Sequence, residues 1–90
     1  MTTITFDPRK DQLNRRKHGI SLAQARRFDW AHADYWMDMR HHYGESRECA
    51  AGSIGQRLYV VVFVWRNGMR RIISLRKAND REEKRYVKNT

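Results

Sequence analysis

Lys17 and His18 stand side by side and are followed at once by Gly19. Histidine titrates near neutrality and serves as either acid or base. Basic neighbours disfavour its protonated form, and the glycine opens local space. With Arg47, Arg76 and Glu45 these residues suit one reaction, the metal-free cleavage of RNA. That chemistry needs a base for the ribose 2′-hydroxyl, positive charge opposite the phosphorane and a proton for the leaving oxygen. Each residue also has a plainer role. His18 suits a helix-end histidine bonded to terminal carbonyls. Arg76 is either a phosphate clamp or a strand-end arginine reaching water. Arg47 follows the Gly44-Glu45 loop and is placed to join the same site. Glu45 either orients Arg47, acts as a base or is solvated loop charge.

Other chemistries find little support. His41 and His42 are adjacent, so on a strand they point to opposite faces. Cys49 is the single cysteine, with no CxxC partner and no disulfide. No metal site and no cofactor are expected. Ser21, Ser46, Ser53 and Ser74 show no nucleophile elbow, and no glycine-rich phosphate loop appears. With 90 residues the chain reads as one domain, residues 1–90, too small for a deep cofactor cavity. It carries no 18-residue apolar run and no apolar leader segment. The lone cysteine fits a reducing compartment, so a cytoplasmic protein is expected.

The charge points to a polyanion. Nineteen basic residues, 14 of them Arg, face 10 acidic ones for a net +9. Residues 1–28 carry +5, residues 29–45 carry −3 and residues 46–78 carry +6. Neutralising phosphates releases condensed counterions, and the guanidinium fork grips a phosphate bidentately. Arg15, Arg16, Arg70 and Lys77, with Tyr59 as a stacking group, form the candidate RNA-binding surface.

These side chains need elements to position them. Residues 3–6 read as a short strand. Asp7 caps a helix from Pro8 to His18, with Pro8 at its first position and Gly19 as a left-handed stop. Ser21-Leu22-Ala23-Gln24 matches a capping box. Leu22, Ala25 and Phe28 then predict a second helix ending near Asp29. Residues 33–40 and 47–53 read as strands. Residues 58–65, LYVVVFVW, predict a central strand covered on both faces. Asn67-Gly68 marks a type I′ hairpin into residues 69–76. Asn79 and Glu82 open a last helix. The expected fold is α+β, in the order β-α-α-β-β-β-β-α, with an antiparallel sheet and helices at both ends.

The hairpin fixes an expected register. A two-residue turn sets Trp65 opposite Arg70, Phe63 opposite Ile72, Val61 opposite Ser74 and Tyr59 opposite Arg76. Tyr59 and Arg76 then share a face. Arg47 joins them only if the preceding loop holds three residues, 54–56. A two-residue Gly55-Gln56 turn pairs it with Val64, on the other face.

Three blocks carry a resemblance. The run FDPRKDQLNRRKHGIS, the central YGESRECAAGSIGQRLYVVVFVW and the closing RRIISLRKANDREEKRY resemble the BrnT toxin family over roughly residues 4–86. The resemblance implies a RelE-like fold and the toxin half of a type II toxin–antitoxin module. It implies a ribonuclease that blocks translation. The implied partner is a BrnA-like antitoxin with a ribbon-helix-helix part, the hetero-oligomeric complex binding its operator DNA. Lys17 and His18 match the KHG motif, Arg47 the arginine after YGE, and Arg76 the arginine of RIIS-x-RKA. Ser46 stands where members often carry a second Glu, and Leu75 where they often carry Ala. The competing reading is a non-catalytic basic nucleic-acid-binding module, with Trp30, Trp36 and Trp65 for stacking.

Overall fold

The LYVVVFVW run lies at the centre of a five-stranded sheet in a computed structural model that describes residues 3–40 and 44–89. The strands are β1 (Ile4–Phe6), β2 (Asp34–Met37), β3 (Glu48–Ile54), β4 (Arg57–Arg66) and β5 (Met69–Lys77), ordered β1-β5-β4-β3-β2. β2 to β5 form the expected antiparallel meander. β1 adds to the edge in parallel with β5, so the sheet is mixed. The helices are α1 (Pro8–His18) and α2 (Asp80–Asn89).

β4 is buried on both sides because its alternate residues feed two cores. Val61 and Phe63 pack with Leu22, Ala25, Phe28, Trp30, Ile72 and Leu75 on one face. Val60 packs with Ala51 and Ala78 beneath Trp36 and Tyr86 on the other. Gly52 lies under the Phe28 ring: a Cβ there would come within 2.7 Å of Phe28 Cζ.

The helix signals are realised at both ends. Asp7 Oδ1 accepts from the Arg9 amide, and Gly19 takes a left-handed φ of 71°. Asn79 Oδ1 accepts from the Glu82 amide while Glu82 Oε1 accepts from the Asn79 amide, a reciprocal capping box. The predicted second helix is not α-helical. It is a 3-10 helix, Leu22–Arg27, followed by another, Trp30–His32. Three residues per turn stack Leu22 and Ala25 toward the core. Asp11 of α1 takes the Leu22 amide and the Ser21 hydroxyl, satisfying this end from outside. The strand expected over residues 33–40 ends at Met37, where Asp38 accepts from the Arg40 amide and turns the chain.

The register departs from the expectation at one point. Asn67 and Gly68 both have positive φ, as a type I′ turn requires, and Trp65 pairs with Arg70 and Phe63 with Ile72. A β-bulge follows. Val62 pairs with Ser74, Val61 with Leu75, Val60 with Arg76 and Tyr59 with Lys77. Ile73 is the extra residue, so two residues of β5 oppose one of β4. Arg76 therefore lies across from Val60 and not Tyr59, on the opposite face. The Gly55-Gln56 turn holds two residues, with Ile54 paired to Arg57. That parity aims Arg47 at the Val62 and Val64 face, which the bulge has also given to Arg76.

Asn14, 5% exposed, ties α1 to the sheet. Its Nδ2 donates to the carbonyls of Leu75 and Ile20, and its Oδ1 accepts from the Leu75 amide. Asn14→Leu leaves those buried backbone groups unpaired. It is expected to cost about 1–3 kcal/mol of stability, measured by urea unfolding.

Candidate active site

Four strands and both α-helices converge on one cleft of about 490 Å³. Alternation along the strands builds its floor from Cys49, Val60 and Val62, with Arg47 one step before β3. Residues paired across the sheet form successive rows: Trp36 with Cys49, Cys49 with Val62, and Val62 with Ser74. Arg76 enters from β5 beside Ile73 and Ser74, and Glu82 enters from α2. The last turn of α1 supplies Lys17 and His18. Asp38 and Arg40, from the turn after β2, complete the wall.

Four cations meet two carboxylates here, and the pairing is uneven. Glu82 holds Arg76 through both oxygens, each 2.7 Å from a guanidinium nitrogen. Asp38 holds Arg40 the same way, with its shortest contact 2.7 Å. Lys17 and Arg47 have no carboxylate partner among the described residues. Arg47 Nε is buried with no hydrogen-bond partner there. A buried donor of that kind is costly unless an acceptor arrives, and a phosphate oxygen is such an acceptor.

The proton chemistry follows from the same geometry. Burial lowers the His18 pKa below its ordinary value, and Lys17 and Arg76 lower it further. His18 is thus held neutral near pH 7 and ready to accept a proton. The hydrogen bonds from Arg76 keep the Glu82 carboxyl below the ordinary carboxylate range. Burial pushes the Cys49 thiol up to about 11, with Asp38 adding to it, so the floor is an uncharged thiol.

Lys17, His18, Arg47 and Arg76 are brought together. Glu45 is not: the loop carries it away, and it accepts from Arg66 Nη2 at 2.9 Å. Tyr59 and Lys77 line a separate cleft. Arg70 lies on the far face, its guanidinium 4.2 Å from the Trp30 ring centre and 4.6 Å from that of Trp65. Its place there is fixed by aromatic packing, an outcome the Trp65–Arg70 pairing foreshadowed. Arg15 pairs with Asp11 one helical turn back, and Arg16 is exposed outside the cleft. Residues 41–43, with His41 and His42, fall outside the described set.

Asp38, Arg40, Trp36, Ser74 and Glu82 line the cleft without having been expected there. Glu82 was visible as a capping residue, and its spacing from Arg76 was available, but a carboxylate serving both tasks needs the turn at Ala78. Asp38-x-Arg40 was a readable local ion pair whose direction depended on the end of β2.

A basic cleft with a neutral histidine, on a small α+β sheet, has the charge and the proton-transfer group that phosphodiester chemistry requires. A family model described as the ribonuclease toxin BrnT of type II toxin–antitoxin systems matches residues 6–82. The chain belongs to that family. It is similar to the 1.1 Å crystal structure of the Brucella abortus ribonuclease toxin BrnT, with a TM-score of 0.67 and 25% identity, over 89% of this chain and 100% of that one. No match was found among curated protein sequences.

Because its native pKa is lowered, Glu82 stabilises the fold above its ordinary carboxylate range and loses that contribution as pH falls through the lowered value. Glu82→Gln is expected to lower the melting temperature at pH 7. The gap from the parent should narrow as the pH drops below about 4, followed by thermal unfolding across pH 3–7.

Proposed function

We propose that this chain is a metal-independent endoribonuclease, the toxin of a type II module, acting as a single domain over residues 1–90. The observation that carries the reading is the convergence of His18 and Lys17 from α1 with Arg47 and Arg76 from the sheet. Arg47 and Arg76 hold the scissile phosphate and neutralise charge that grows on its oxygens. His18, neutral near pH 7, takes the proton of the ribose 2′-hydroxyl. The 2′-oxygen bonds to phosphorus, the bond to the 5′-oxygen breaks, and that oxygen takes a proton from Lys17 or from water. The products are a 2′,3′-cyclic phosphate and a 5′-hydroxyl. Such cutting of RNA inhibits translation.

Arg15 and Arg16, on the exposed side of the same helix, extend the positive field toward RNA. Among the described residues no helix is long and apolar enough to cross a membrane, and a cytoplasmic location accords with an RNA substrate and an antitoxin partner. The partner is a BrnA-like ribbon-helix-helix antitoxin whose acidic segment covers the basic cleft. The complex binds operator DNA through the antitoxin.

The test is cleavage of a labelled RNA in excess EDTA. The wild type is expected to cut. Arg76→Ala should lose about a hundredfold to a thousandfold in kcat/KM while its circular dichroism is retained. RNA binding without any product, with or without added metal ions, would replace this reading with a non-catalytic binding module. A second measurement addresses the proton. The lowered pKa of His18 makes log kcat/KM rise with pH and level off through a midpoint below 6.5. His18→Gln is expected to remove that limb.

A further inference from the structure

A second polar cleft, of about 720 Å³, opens on the opposite side of His18. Among the described residues His18 alone lines both clefts. The separation comes from strand alternation. Arg76 and Lys77 are consecutive on β5, so their side chains leave on opposite faces, Arg76 into the first cleft and Lys77 into the second. The second cleft holds what a nucleotide needs. Tyr59, half-buried against the core, offers a ring edge and a hydroxyl with no partner among the described residues. Gln24 offers a side-chain amide on the 3-10 helix next to it, and Arg27 and Lys77 supply positive charge. Among the described residues the Gln24 side chain is engaged only by Arg27, whose Nη1 donates to Gln24 Oε1 over a long 3.3 Å.

We infer that this second cleft is a nucleotide subsite, taking the nucleoside on the 5′ side of the scissile phosphate together with its own 5′-phosphate. The inference rests on the ribonuclease reading for its orientation, because it is the phosphate bound at Arg47 and Arg76 that the flanking nucleoside adjoins. Tyr59 packs against the base, since any base offers a π-face to an aromatic ring. Gln24 meets the base edge, where a side-chain amide both donates and accepts. Lys77 and Arg27 meet the phosphate on the 5′ side of that nucleoside. A single strand fits this arrangement, since the base must be splayed from its neighbours to enter. His18, between the two clefts, is then placed at the sugar that joins base to scissile phosphate, where the 2′-hydroxyl lies. The sequence preference of cleavage is set here and not in the phosphate cleft.

Two readouts test the subsite separately from the chemistry. The first is fluorescence-anisotropy binding of a fully 2′-O-methylated RNA tetramer, which cannot be cleaved. The second is end-mapping of the cuts in a random-sequence RNA. Gln24→Ala and Lys77→Ala, at side chains outside the core, are compared with wild type, and Tyr59→Leu is added where it folds. The double variant Gln24→Ala/Lys77→Ala is expected to bind the tetramer about tenfold more weakly. Gln24→Ala should flatten the base bias at one position beside the cut. Tetramer binding weakened by these variants, in a wild type that cuts no RNA, would uphold the subsite and sink the ribonuclease reading. Normal cutting, with tetramer affinity and base bias unchanged in all variants, would overturn the subsite alone. A wild type that neither binds nor cuts would overturn both.

Discussion

The side-chain amide of Asn14 does the work of a missing strand. β1 covers β5 only opposite Arg70, Arg71 and Ile72. Beyond that point the edge of β5 is open, and Leu75 would present a bare N–H and C=O beside the core. Asn14 satisfies both from the side and holds the Ile20 carbonyl as well. A buried amide with its donors and acceptor fully used has one orientation, so α1 is locked in angle and in depth. Lys17 and His18 lie one turn further along that helix, and Arg76 is the residue after Leu75. The distance between histidine and arginine is therefore governed by a contact outside the cleft, made by two groups with no part in proton transfer.

The cleft divides its positive charge between two kinds of residue. Arg40 and Arg76 are gripped by Asp38 and Glu82, which hold their guanidinium planes in place. Lys17 and Arg47 have no such acidic grip among the described residues, and a buried Arg47 nitrogen lacks an acceptor. Paired arginines keep direction at the expense of field strength, and unpaired ones do the reverse. Burial, with the charges of Lys17 and Arg76 beside it, keeps His18 uncharged, and burial, with Asp38, keeps the Cys49 thiol on the floor from ionising. The same electrostatics that favours a phosphate thus fixes the protonation of the group beside it.

Local signals were legible in the residues, and long-range parity was not. Asp7, Gly19, Asn67-Gly68 and the Asn79–Glu82 box act over four residues or fewer, and each appears where its type demands. The continuous apolar run of β4 announced a strand covered twice. Leu22, Ala25 and Phe28 were read as an α-helical stripe because spacing by three suits both helix types. Only the Asp11 contacts, from another element, decide for the tighter one. The face shared by Arg47 and Arg76 needed two facts together. The Gly55-Gln56 turn has the parity that seemed to separate them, and the bulge at Ile73 reverses the other partner. A bulge has no strong signature in an apolar strand. Tyr59 was accordingly placed with Arg76, when its true neighbour across the sheet is Lys77.

Ile73 has a bearing on how such a chain can be inherited. On the hairpin side of it, Arg70 and Ile72 face the larger core. Past it, Leu75 takes up that face and Arg76 the other. Because Ile73 is the residue the ladder leaves unpaired, loss of its codon would remove the bulge and keep every pairing downstream, Ser74 with Val62, Leu75 with Val61 and Arg76 with Val60. The strand thus absorbs a one-residue deletion at this point, and Leu75 and Arg76 keep their faces. A lineage under pressure to disarm the protein gains little from such a deletion, and inactivation has to come through substitution of the charged residues themselves.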